Sequence, residues 1–161
     1  MGRKGLVVIL LICLAISLVG ILLTPSTVSL YDLQAAPEEI EINGSSYTLE
    51  TYLWRDFMPF SPPDGTPLGV LVRVITPGET AISSKIDATR VWVVNSKEIW
   101  ETELVSQELP TIGNTLEKIG RGGGPKWGPG IGVDVVVRII DLKSGKDYLL
   151  RASNQYIHGT Y

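Results

Sequence analysis

The sequence predicts an all-β domain, a single antiparallel β-sandwich, preceded by one N-terminal transmembrane helix. Three observations lead there. The run from Leu6 to Thr24 carries no charge. From Tyr47 onward apolar residues recur with period two, the spacing of a strand with one buried face. The short apolar segments are divided by Pro, Gly, Asn and Asp clusters, and outside the first segment no long stretch has helical periodicity.

The N-terminal run is as long as the hydrocarbon core of a bilayer is thick, ~30 Å at 1.5 Å per residue. It shows no polar stripe, so it reads as a span and not as an interfacial helix. An uncleaved signal-anchor is preferred to a cleaved secretory signal, because the run is long and no A-x-A pattern follows it. Arg3 and Lys4 precede the run and acidic residues follow it, which keeps the N-terminus cytoplasmic. The expected organisation is a cytoplasmic stub (1–5), a single-pass signal-anchor (6–24), a Thr, Ser, Pro and Ala-rich linker (25–37) and an extracytoplasmic sandwich (38–161). Secretion after signal cleavage is the alternative.

Within the sandwich each element has a local reason. Asn43-Gly44 reads as a hairpin turn. "YTLETYLWRD" (47–56) alternates Tyr47, Leu49, Thr51 and Leu53 against Thr48, Glu50, Tyr52 and Trp54. "SPPDGTP" (61–67) then breaks the chain, since its prolines cannot donate to a ladder. Strands follow at 68–75, 89–94 and 98–104. Asn95-Ser96 is taken as the two-residue turn of the hairpin joining the last two, which places Arg90 opposite Glu101. Residues 106–131 read as irregular, with a helical turn near Asn114 to Ile119. Strands resume at 133–140 and 147–153 around a turn at Ser144-Gly145. In outline these seven or eight short strands resemble immunoglobulin-like and fibronectin type III-like sandwiches. The resemblance implies architecture alone, because the Cys…Trp…Cys signature is absent and Cys13 is the one cysteine.

Charge and motifs exclude several chemistries. Taking Arg3 and Lys4 from the 14 basic residues and Asp32 from the 17 acidic ones leaves 12 and 16, a net of −4 for the sandwich. That balance gives no footprint for nucleic acid. "RGGGPKWGPG" (121–130) is not a phosphate cradle: it matches neither nucleotide-binding glycine pattern, feeds a strand, and loses two N–H groups to Pro125 and Pro129. It reads as a crossing over the end of the core, with Lys126, Trp127 and Gly128 as the candidate partner-binding loop. Trp127 is expected to pack onto the core. His158, the one histidine, has no second imidazole or thiolate at metal-ligand spacing, so no metal and no cofactor is expected. Glu101 with Glu103, and Asp134 beside Arg138, read as solvated strand faces and not as catalytic pairs. Four tryptophans and several tyrosines offer a sugar-stacking platform if their rings are exposed. The expected function is thus a non-enzymatic binding or accessory module of the cell envelope, tethered to the membrane, with an envelope protein or a glycan as partner. The alternative is a small envelope hydrolase or a protease-inhibitor-like domain.

Overall fold

The computed structural model describes residues 28–78, 81–82, 85–106 and 113–161. They form one short helix, α1 (Leu30–Ala35), and eight strands: β1 (Glu39–Ile42), β2 (Ser45–Asp56), β3 (Gly69–Ile75), β4 (Ile86–Asn95), β5 (Glu98–Ser106), β6 (Thr115–Gly120), β7 (Gly132–Asp141) and β8 (Asp147–Thr160).

The strands make a closed barrel, not a sandwich. Seven of them run in the order β2-β3-β6-β5-β4-β7-β8, and β8 then pairs with β2, while β1 extends β2 outside the ring. Each neighbour is antiparallel except the closing pair, which is parallel with Leu53 opposite Ile157. The physical reason for the difference is that period-two alternation marks a buried face without saying which strand shares it. One curled sheet and two stacked sheets impose the same pattern.

Two bulges supply curvature. The β4–β7 register shifts between Ala88 and Arg90, and the β7–β8 register shifts between Val133 and Val135. At the second, Asn154 takes φ 53° and its amide donates to Asp134 Oδ1 at 3.0 Å. An extra residue in one strand of a pair bends it and increases its twist. The bend lets the 14-residue β8 leave β7 and finish on β2. Side chains fill the barrel interior, among them Leu53, Val70, Val72, Val91, Val137, Leu150 and Ile157.

A second apolar cluster lies outside the barrel. Leu33 and Ala36 cover Trp92, Val94 and Val136 on the outer wall of β4 and β7. Both faces of these strands are therefore buried, which explains the unalternating runs Val91-Trp92-Val93-Val94 and Val135-Val136-Val137. The helix falls within the segment expected to be a free linker. Ser29 and Asp32 close a reciprocal N-terminal cap on it. Arg151 holds its far end through Gln34 O (2.7 Å) and, by its amide, Pro37 O (2.8 Å).

Three further expectations need correction. The stretch near Asn114 to Ile119 is strand, not a helical turn. Its inward positions are Leu116, Lys118 and Gly120, a set too poor in apolar residues to announce a strand. The buried Lys118 pairs with the half-exposed Asp87 at 2.8 Å, and a Cβ on Gly120 would come within 2.9–3.1 Å of Thr102, Val70 and Val91. In the β4–β5 hairpin the turn is Ser96-Lys97, with Ser96 at φ 56°, so Trp92 faces Glu101 and Arg90 faces Glu103. Arg90 still reaches Glu101 diagonally at 2.7 Å. Finally, no helix among the described residues is long and apolar enough to cross a membrane, and the expected span at 6–24 lies outside them. The single-pass, extracytoplasmic placement and the signal-anchor built on that span are accordingly not carried forward.

Candidate functional site

Alternation along β2 sends Tyr47, Leu49 and Leu53 into the barrel and turns Tyr52 and Trp54 outward. Trp54 lies opposite Gly69 on β3. A Cβ on Gly69 would approach Trp54 Cζ2 to 2.8 Å and its two bonded neighbours, Cε2 and Cη2, to 3.0 Å. Such similar distances mean that the glycine meets the face of the indole, not its edge. The ring lies flat on the barrel wall because the neighbouring strand has no side chain there.

Other rings align with it. Tyr52 stacks on Trp54 with centroids 5.9 Å apart and planes 18° apart, and His158 of β8 stacks on Tyr52 at 5.0 Å and 15°. The guanidinium of Arg121, just past β6, stands over the indole at 5.6 Å. Leu71 and Ile119 floor the space beside Trp54, Met58 and Thr160 flank it, and together they bound an open groove of about 350 Å³. Asp56 also lines it; its Oδ1 accepts from the Met58 amide (2.9 Å) and from Thr160 Oγ1 (3.2 Å). The groove combines flat aromatic surface, an apolar floor, one carboxylate and one cation.

The glycine-rich loop is placed differently. Arg55 alternates inward from β2 and is buried, yet no carboxylate pairs with it among the described residues. Its guanidinium donates instead to carbonyls of two loops: Thr66 O (2.8 Å) and Asp64 O on one, Lys126 O (2.9 Å) and Trp127 O (3.2 Å) on the other. The Lys126 ammonium also pairs with the Asp64 carboxylate, holding that carboxyl below its ordinary range. Trp127 is partly buried against the core, and its Nε1–H donates to Glu98 Oε2 at 2.7 Å. Gly128 is half-buried beside it. Lys126, Trp127 and Gly128 thus sit together on a crossing bolted down by Arg55, with the indole on the core as anticipated.

The remaining sequence candidates disperse. Glu101 and Glu103 both face Arg90, and Asp134 faces Arg151 at 3.6 Å instead of Arg138. Of the aromatic residues offered as a platform, Tyr47, Trp92 and Trp100 are buried, Trp54, Trp127 and Tyr148 are half-buried, and Tyr52 is exposed; Tyr52 and Trp54 form the stacked pair. His158 joins their row as a stacking ring, a role its isolation in the sequence did not suggest. Arg121 was legible only as the first residue of the glycine stretch; nothing in the sequence ties it to Trp54. A polar depression of about 210 Å³ near α1 has its Asp134 already engaged by Asn154 and Arg151. No family model matches the chain, and no curated protein or solved structure is significantly similar to it.

Proposed function

We propose that this barrel is a non-enzymatic binding module whose ligand site is the groove over Trp54. The observation that supports the reading is the flat indole itself, lying on Gly69 in line with Tyr52 and His158. An aromatic ring held flat and half-exposed on a rigid wall gives a ligand apolar contact area at little entropic cost. Rigid strands, not loops, carry these rings, so they are ordered before any ligand arrives. Glu101, Glu103 and Asp134, the carboxylates weighed as catalytic pairs, are each committed to an arginine elsewhere on the wall.

The test is a fragment screen on the full-length ¹⁵N-labelled chain, using methyl glucoside, indole and N-acetylproline amide as probes. At least one should shift the Trp54 indole N–H together with the amides of Leu71 and Ile119. Trp54→Ala should abolish those shifts and leave the melting temperature nearly unchanged. Shifts confined to other parts of the barrel, or none at all, would reject the groove as a ligand site.

A further inference from the structure

We infer that the groove takes a carboxylated sugar, with the pyranose ring over Trp54 and its carboxylate on Arg121. This rests on the reading of the groove as a ligand site and names the class of ligand.

Arginine pairing carries the first half of the inference. Arg73 pairs with Glu117 at 2.7 Å, Arg90 with Glu101 at 2.7 Å, Arg138 with Asp147 at 3.6 Å and Arg151 with Asp134 at 3.6 Å. Arg55 donates four of its five N–H groups to loop carbonyls. Among the described residues Arg121 is the arginine whose guanidinium makes neither a hydrogen bond nor an ion pair; it stands over the ring of Trp54. The chain has 17 acidic residues to 14 basic ones, so acceptors are not scarce. A planar fork left open at the rim of an apolar groove matches a carboxylate bidentately.

The groove floor carries the second half. The apolar C–H face of a pyranose matches a flat indole, and its hydroxyls need acceptors at the rim. Asp56 Oδ2 makes no hydrogen bond among the described residues, whereas Oδ1 is occupied by Met58 and Thr160. One side of the groove therefore accepts a hydroxyl and the other donates to an anion. A nucleic acid strand fits poorly, because it would bring a phosphate at every step to a surface with one free cation and one carboxylate. A neutral sugar would leave Arg121 unmatched.

The probes are trigalacturonic acid and its methyl ester, which keep the same rings and differ in charge. In NMR titrations of the full-length chain the acid should shift the Trp54 indole N–H, and the ester should bind about tenfold more weakly, the loss of a charge-assisted bidentate contact. Arg121→Gln should bring the two affinities together, and Trp54→Ala should remove both. Equal affinity of acid and ester for the unaltered chain would overturn the inference, as would tighter binding of a single-stranded oligonucleotide at the groove. Failure of both sugars would overturn it as well. If uncharged fragments still shifted Trp54 in that case, the ligand site would stand and only the carboxylated sugar would fall.

Discussion

Two outward-facing tryptophans on the barrel wall have near-identical surroundings and opposite fates. Trp92 on β4 has Arg138 over its ring at 5.3 Å, and Trp54 on β2 has Arg121 at 5.6 Å. Trp92 is 3% exposed because α1 lies across it, while no element of the described chain crosses Trp54. Arg138 continues into an ion pair with Asp147, whereas Arg121 stops at the indole. The difference separates two uses of one motif. Where the chain supplies its own cover, an arginine–tryptophan pair on the wall is part of the fold; where it supplies none, the same pair is presented.

If that contrast is right, truncating the two rings should have unequal costs. Trp92→Ala should lower stability by about 3–5 kcal/mol, as truncation of a buried tryptophan does, and Trp54→Ala by well under about 1 kcal/mol. Denaturant unfolding of both variants measures this directly. Comparable losses would mean that Trp54 is structural and would dissolve the contrast.

The cover can be tested next. Leu33 is the fully buried side chain by which α1 packs on the wall, so Leu33→Ala should cost about 2–3 kcal/mol and raise amide exchange in β4 around Trp92. Exchange around Trp54 should not change. A rise at both tryptophans would show the two walls to be coupled.

Next in size is an effect at Gly69, the glycine beneath the Trp54 ring. Gly69→Ala should force the indole off the wall at a cost of about 1–2 kcal/mol, because its Cβ would meet three ring carbons within 3.0 Å. Fragment binding should weaken in step. Unchanged binding would mean that the ring need not lie flat.

The smallest effect is electrostatic and belongs to the covered side. Hydrogen bonds from the Ser29 hydroxyl and amide hold the Asp32 carboxyl below its ordinary value. A carboxyl whose folded pKa is depressed contributes stability above its unfolded value of about 3.9, and that contribution fades as pH falls through the folded pKa. Acid should therefore loosen α1, and Asp32→Asn should flatten the pH dependence of exchange near Trp92 below about pH 4. Trp54 should give no such signal.

Much of the wall was legible in the sequence and little of its closure was. Alternation at Tyr47 to Asp56 correctly sends Leu53 inward and Trp54 outward, and Asn43-Gly44 correctly makes a turn, with φ values of 53° and 84°. The parallel pairing of Leu53 with Ile157 leaves no local mark, because each strand already satisfies its own alternation. β6 was hidden because a lysine and a glycine occupy two of its inward positions. The site was half legible: Tyr52 and Trp54 were recognisable as ring surface, but the sequence could not tell them from Trp92, an outward ring covered by α1, or from Trp100, which points into the barrel core. Arg121 reaches the groove through the β3–β6 pairing, which joins residues about fifty apart along the chain.

The parallel seam between β2 and β8 also sets a timetable for synthesis. β2 is complete once Asp56 is made, but its closing partner, the segment from Ile157 to Thr160, follows about a hundred residues later. Until those residues leave the ribosome, the Leu53 to Asp56 edge offers unpaired amides and carbonyls to any other extended chain. Non-local closures of this kind are slow to form, and they expose nascent chains to misassembly meanwhile. The barrel is thus protected by a segment made about a hundred residues after the edge it covers, and truncation before Ile157 should yield an aggregating chain and not merely a shorter barrel.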